Sequence, residues 1–177
     1  MTEARIVIIG NAGGGKSTLA RAMAARRDLP LVEVDKLLWQ PDWSETPDAE
    51  YEAQHAPLIA SDKWMMEGLG KLETIRDRML RATWIILIDM PIWMHFWLAA
   101  ERQIAWAKGE LEHPPAGNHT FITTRDMFET LWETEQDMMP AIRANVDEAE
   151  AAGIKVTRIS SVEELNAFTE EMTGNAA

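Results

Sequence analysis

Gly10-Asn11-Ala12-Gly13-Gly14-Gly15-Lys16-Ser17 fits the spacing G-x-x-x-x-G-K-[ST] at every position. Glycines let successive backbone N–H groups turn inward around a phosphate, and a helix that starts at the lysine adds partial positive charge. In such a loop Lys16 reaches the β- and γ-phosphates, the Ser17 hydroxyl ligates Mg2+, and Thr18 continues into the helix. The context agrees: the β-branched run Ile6 to Ile9 precedes the loop and a helix-forming stretch from Lys16 to Arg27 follows it. A dinucleotide fingerprint needs G-x-G-x-x-G and no lysine, so the segment reads as a site for ATP or another nucleoside triphosphate, with Mg2+.

Three carboxylates close other short apolar runs: Asp35 after Leu31 to Val34, Glu67 after Trp64 to Met66, and Asp89 at the end of the run from Trp84. Phosphoryl transfer asks a protein for positioning, charge neutralisation and a carboxylate that takes the acceptor's proton or orients the nucleophile. Asp35 is the first choice for the base, or for the group that binds the acceptor hydroxyl. Glu67, followed by Gly68, suits the metal site and is the alternative base. Asp89 precedes Met90-Pro91 and reads either as a further ligand or as a helix cap.

The elements that must position these residues alternate along the chain. After the second strand, Gln40 to Pro47 reads as a loop and Pro47 to Ala60 as a helix. Thr74 to Ala82 and Ile92 to Ala107 are helical in pattern, and Thr123 to Ala152 is a long helix that Pro140 should kink or break near Met139. Ile154 to Ile159 is a fifth strand, and Ser161 to Met172 a last helix with Ser160 or Ser161 as cap and Glu164 completing a capping box. Short apolar strands between helices imply an α/β protein, a parallel sheet with helices on both faces. Ligands in such sheets bind beyond the carboxyl ends of the strands, where Gly10, Asp35, Glu67 and Asp89 all fall.

Composition narrows the function classes. The chain has 177 residues, 17 basic against 29 acidic, for a net charge of −12. That balance repels phosphate backbones and anionic lipid, so neither nucleic acid nor a membrane surface is an expected partner. No cysteine is present, which removes thiolate chemistry and disulfides. The longest apolar stretch, from Trp84 to Ala100, is interrupted by Asp89, Pro91 and His95, and the N-terminus lacks secretory features, so a cytoplasmic protein is expected.

Four segments in one order carry a family resemblance: Gly10-Asn11-Ala12-Gly13-Gly14-Gly15-Lys16-Ser17-Thr18, the run Asp35 to Trp43 with Trp39 and Pro41, Trp64 to Gly68, and Ile85 to Pro91. Together they resemble the adenylate-kinase-related P-loop proteins called topology modulation proteins. The resemblance implies a P-loop NTPase three-layer fold of nucleoside-monophosphate-kinase type, with a five-stranded parallel sheet in the order 2-3-1-4-5, and a nucleotide- or nucleoside-like acceptor. A single domain over residues 1–173 follows, with a lid-like segment at about 108–124 and a flexible tail at 174–177.

Two departures stand out. Where the family has Asp-Gly-Asn-Tyr, this chain has Glu67-Gly68-Leu69-Gly70. The lid-like segment, rich in Arg and Lys in the family, carries only Lys108 here, flanked by Arg102 and Arg125. Losing lid arginines raises the barrier to transfer, so a slow NTPase or a nucleotide-dependent regulatory protein without an acceptor is the alternative to a kinase.

Arg78 matches a family arginine, with Arg76 on a different helical face. Either suits an acceptor's phosphate or carboxylate, or a surface ion pair. Trp39 and Trp43 suit a planar acceptor or loop packing. Trp93, Trp97 and Trp106 with Met94 read as an apolar helix face, either core or a subunit contact in a homodimer. His113 and His119 lie in a Pro-rich loop without further metal ligands, and Glu133, Glu135, Asp137, Asp147, Glu148 and Glu150 read as a solvated helix face. The expected assignment is Lys16 and the loop amides on the phosphates, Ser17 and Glu67 on the metal, Asp35 on a small-molecule acceptor, and Arg78, Arg102 or Arg125 neutralising charge.

Overall fold

The computed structural model describes residues 4–40, 42, 44–110 and 124–174. Strands β1 (Arg5–Gly10), β2 (Leu31–Glu33), β3 (Trp64–Glu67), β4 (Trp84–Ile88) and β5 (Lys155–Ile159) form one parallel sheet in the order β2-β3-β1-β4-β5, as the resemblance implied. The three inner strands are apolar at nearly every position because both of their faces are covered. Val7, Ile9, Met66, Ile85 and Leu87 meet helices α3 (Asp48–Ala60), α4 (Leu72–Arg81) and α7 (Met139–Ala151) on one face. Ile6, Ile8, Met65, Trp84 and Ile86 meet α1 (Lys16–Arg27) and α8 (Val162–Thr173) on the other. Alternation along each strand divides the core into these two clusters.

Several boundaries differ from the sequence reading. The second strand ends at Glu33, because Val34 and Asp35 turn into a short helix, α2 (Asp35–Leu38). An isolated antiparallel bridge between Trp39 and Glu45 ties together the ends of the segment read as a loop. Helix α4 begins two residues earlier than its pattern suggested, at Leu72. Helix α5 (Ile92–Ala107) falls where expected, but Trp93 and Trp97 are 62% and 63% exposed, so that face is not core.

The break near Met139 takes the form of a π-helical segment at Thr134–Met138 between α6 (Thr124–Glu133) and α7. Pro140 sits in the first turn of α7, where its missing N–H leaves no helical bond unmade. Ser161 caps α8 by accepting from the Glu164 N–H, while the Glu164 carboxylate reaches back to Ser160 N–H and Oγ rather than to Ser161.

No helix among the described residues is long and apolar enough to cross a membrane. Most of the lid-like segment, with His113 and His119, lies outside the described residues, as do Pro41, Trp43 and the last three residues of the tail.

Candidate functional site: the phosphate loop and its clamps

The phosphate loop is a strand-to-helix turn that only glycine can build. Gly10 has φ +147°, and a Cβ there would stand 2.1 Å from the Ile88 carbonyl oxygen on the neighbouring strand. Gly13 and Gly15 are left-handed, at φ +75° and +78°. A Cβ on Gly14 would come within 3.0 Å of His95 Cε1, and one on Gly15 within 2.9 Å of Leu165 Cδ2, so the glycines also admit α5 and α8 against the loop.

Lys16 opens α1, is buried, and donates from Nζ to the Asn11 carbonyl across the loop at 2.8 Å. Burial lowers its pKa; Asp35 and Glu67 oppose that shift, and Arg102 adds to it. The side chain of Asn11 is a brace. Its Oδ1 accepts from Ala12 N–H at 2.8 Å and its Nδ2 donates to the Leu131 carbonyl at 2.9 Å. His95 Nδ1 lies 2.7 Å from the Ala12 carbonyl oxygen. Burial lowers the His95 pKa, so the ring is neutral and carries its proton on Nδ1 to make that bond.

Glu67 closes β3 and is buried; the Ser17 hydroxyl beside it lowers its pKa, while its Oε2 has no partner among the described residues. Burial raises its pKa, Lys16 lowers it, and Asp35 raises it further. The two residues read as metal ligands therefore meet, and they meet with an unsatisfied buried oxygen. A hard cation accepts hydroxyl and carboxylate oxygens, so this donor set fits Mg2+.

Asp35 and Arg78 converge on a single turn. Asp35 Oδ1 accepts from the N–H groups of Leu69 and Gly70, each at 3.1 Å. Arg78, fully buried on α4, donates to the Gly68 carbonyl at 3.4 Å and to the Leu69 carbonyl. Burial lowers its pKa, and its Nε is unpartnered among the described residues. One residue thus holds the donors of the Gly68-Leu69-Gly70 turn and the other its acceptors. Gly68, at φ +104°, is the close approach that allows it, since a Cβ would lie 2.8 Å from Asp35 Oδ2.

The other sequence candidates separate. Arg102, exposed on α5, has no hydrogen bond or ion pair among the described residues. Enough protein surrounds its guanidinium to lower the pKa; Arg21 lowers it further and Glu67 opposes. Arg125 is engaged by Glu129 one turn along the exposed side of α6, at 2.8 Å. Arg76 takes the ion-pair alternative with exposed Glu148, not the acceptor one.

Asp89 is neither a cap nor a free ligand. Arg143 on α7 grips it with Nε at 3.0 and 3.1 Å and Nη2 at 2.8 Å, and Nη2 also reaches Glu135 Oε1 at 2.7 Å. These carboxylates hold the Arg143 pKa above its ordinary value. Glu135 Oε2 lies 3.5 Å from Asn11 Nδ2, which links the group to the phosphate loop. Glu135 is therefore a buried-side partner rather than part of a solvated face. Sequence reading missed Glu135, His95 and Arg143. Only Pro140, which marks the π segment carrying Glu135, signalled the region.

No family model matches the chain, and no curated protein matches it in sequence. Among solved structures it is similar to a shikimate kinase from Acinetobacter baumannii in complex with shikimate. The TM-score is 0.55 at 10% identity, covering 99% of this chain and 96% of that one. It is also similar to a gluconokinase from Sinorhizobium meliloti 1021, with TM-score 0.51 at 16% identity, covering 98% and 95%. At such identities the likeness concerns architecture, and together with the strand order it establishes that the chain has the α/β fold of the P-loop kinases.

Proposed function

We propose that the protein is a Mg2+-dependent phosphotransferase that moves the γ-phosphoryl group of ATP to a small-molecule acceptor. The observation that carries this reading is the Lys16–Ser17–Glu67 cluster: a buried lysine held on its own loop carbonyl, beside a serine hydroxyl and a buried carboxylate with an unmet oxygen. When phosphate enters, Lys16 exchanges the Asn11 carbonyl for phosphate oxygens, and the loop N–H groups and the start of α1 take the remaining charge. Ser17 and Glu67 would hold the metal, which supplies charge neutralisation on the β- and γ-oxygens.

Asp35 has Oδ1 fixed by two backbone N–H groups and offers Oδ2 to the acceptor hydroxyl, with Glu67 as the alternative base. The acceptor oxygen bonds to the γ-phosphorus, the bond from that phosphorus to the β–γ bridging oxygen breaks, and ADP leaves with the bridging oxygen. The hydroxyl proton passes to the carboxylate. Arg102, whose charge interacts with that of Glu67, would meet the charge that spreads over the transferring group. Membership of the topology-modulation family and a cytoplasmic setting accord with this reading.

Phosphorus NMR of the protein with MgATP and mixed alcohols, nucleosides and nucleotides tests it. A new phosphoester appearing with ADP is the expected result, abolished in Lys16→Ala. ADP with inorganic phosphate alone would support the NTPase reading, which the engagement of Arg78 and Arg125 elsewhere favours.

A further inference from the structure

The chain's seventeen Lys and Arg residues all lie within the described residues, so every fixed cation has a place. Around the carboxyl ends of β1, β2 and β3 nearly all of them are committed. Arg21 and Lys36 both pair with Glu33, and Lys71 pairs with Asp48. Arg78 is fully buried, and its two terminal nitrogens donate to the carbonyls of Gly68 and Leu69. Lys16 and Arg102 remain, and both act on Glu67, beside the phosphate loop.

MgATP carries about two negative charges, which Lys16 and Arg102 balance. Asp35 and Glu67 then leave the acceptor side net negative. From these placements we propose that the acceptor is an alcohol without any anionic group, rather than a phosphate ester or a carboxylate. The inference rests on the phosphotransferase reading above and narrows its substrate. An acceptor's phosphate or carboxylate would approach two carboxylates where the other cations at these strand ends already have partners, in a site where low dielectric enlarges the repulsion. A hydroxyl needs only an acceptor oxygen, which Asp35 Oδ2 supplies.

The test uses matched acceptor pairs with the full chain and MgATP, read by phosphorus NMR at equal concentrations: adenosine and AMP, ribose and ribose 5-phosphate, methyl shikimate and shikimate, sorbitol and gluconate. Within each pair that reacts, the uncharged member is expected to gain phosphate at least about tenfold faster. A second variant probes the cause. Asp48, 93% exposed at its side chain, is the carboxylate paired with Lys71, and Asp48→Asn frees that cation beside the Gly68-Leu69-Gly70 turn. The anionic member's relative rate should rise several-fold, with the uncharged member's rate unchanged.

Equal or faster transfer to an anionic member overturns the inference, as does transfer confined to the anionic members of the panel. Failure to bind MgATP by calorimetry, or ADP and inorganic phosphate with no phosphoester from any member, would instead refute the phosphotransferase reading itself, so the two failures are distinguishable.

Discussion

Glu67→Gln should make the protein more stable and less functional at once. Glu67 is only 4% exposed, Ser17 lies beside its carboxylate, and Oε2 has no partner among the described residues. Leaving a charged oxygen buried without a hydrogen bond costs about 1–3 kcal/mol, and the attraction of Lys16 returns part of that, for a net penalty of about 1–2 kcal/mol. Burial raises the folded-state pKa above the ordinary 4.5, so ionisation is harder in the folded chain than in the unfolded one.

The stability that Glu67 lends is therefore full below about 4.5 and is lost as pH rises through the raised folded value. Glutamine does not titrate. The variant should match the wild type at pH 4 and exceed it at pH 8, by about 3–5 °C in Tm for a chain of this length. Added MgADP should narrow that gap, because the metal neutralises the wild-type carboxylate. It should stabilise the variant less, in line with an affinity at least about tenfold weaker. Thermal unfolding at the two pH values, with and without MgADP, decides the matter. A variant less stable than wild type at pH 8, or one with an unchanged response to MgADP, would refute the reasoning.

Asp35→Asn keeps an acceptor for the Leu69 and Gly70 N–H groups, so it should lower stability by only about 1 kcal/mol in urea unfolding, hold MgATP normally and lose transfer; Asp35→Ala, which orphans both N–H groups, should cost about 2–3 kcal/mol. Arg143→Met leaves Asp89 and Glu135 facing each other without their cation, and because the group is partly exposed the cost should be about 1–3 kcal/mol by urea unfolding, with weaker MgATP binding through Asn11. His55, stacked on Tyr51 and desolvated with Arg78 nearby, has its pKa lowered to about 4, so the protein should lose stability as pH falls from about 6.5 through 4, and the imidazole proton resonance of His55 should titrate near the lower value.

How far the sequence could be read depended on the range of the interactions concerned. The phosphate loop was legible because its chemistry is contiguous: eight residues whose spacing alone turns N–H groups toward a phosphate. The inner strands were legible because burial on both faces makes them continuously apolar. The strand order came from resemblance, since parallel strands joined by crossovers carry no pairing signal in one dimension. Trp93 and Trp97 show the limit of periodicity. A spacing of four places them on one face of α5, but nothing in that spacing says what covers the face, and it stands exposed. Asp89 and Arg143 are 54 residues apart, and only the packing of α7 beside the sheet brings them together.

The carboxylates at the three strand ends looked interchangeable in sequence, and the fold separates them by how each negative charge is met. Asp89 is met by Arg143, whose bidentate grip leaves little for a ligand. Asp35 is half met, with one oxygen on two backbone N–H groups and the other turned toward Gly68. Glu67 has a hydroxyl beside it and the charge of a lysine that a phosphate would draw away, and its Oε2 has no partner among the described residues. A buried charge so poorly satisfied is costly to keep unless a ligand completes it. The order of unmet demand, Glu67 first, Asp35 second and Asp89 last, is therefore the order in which these residues are expected to matter for metal, acceptor and scaffold.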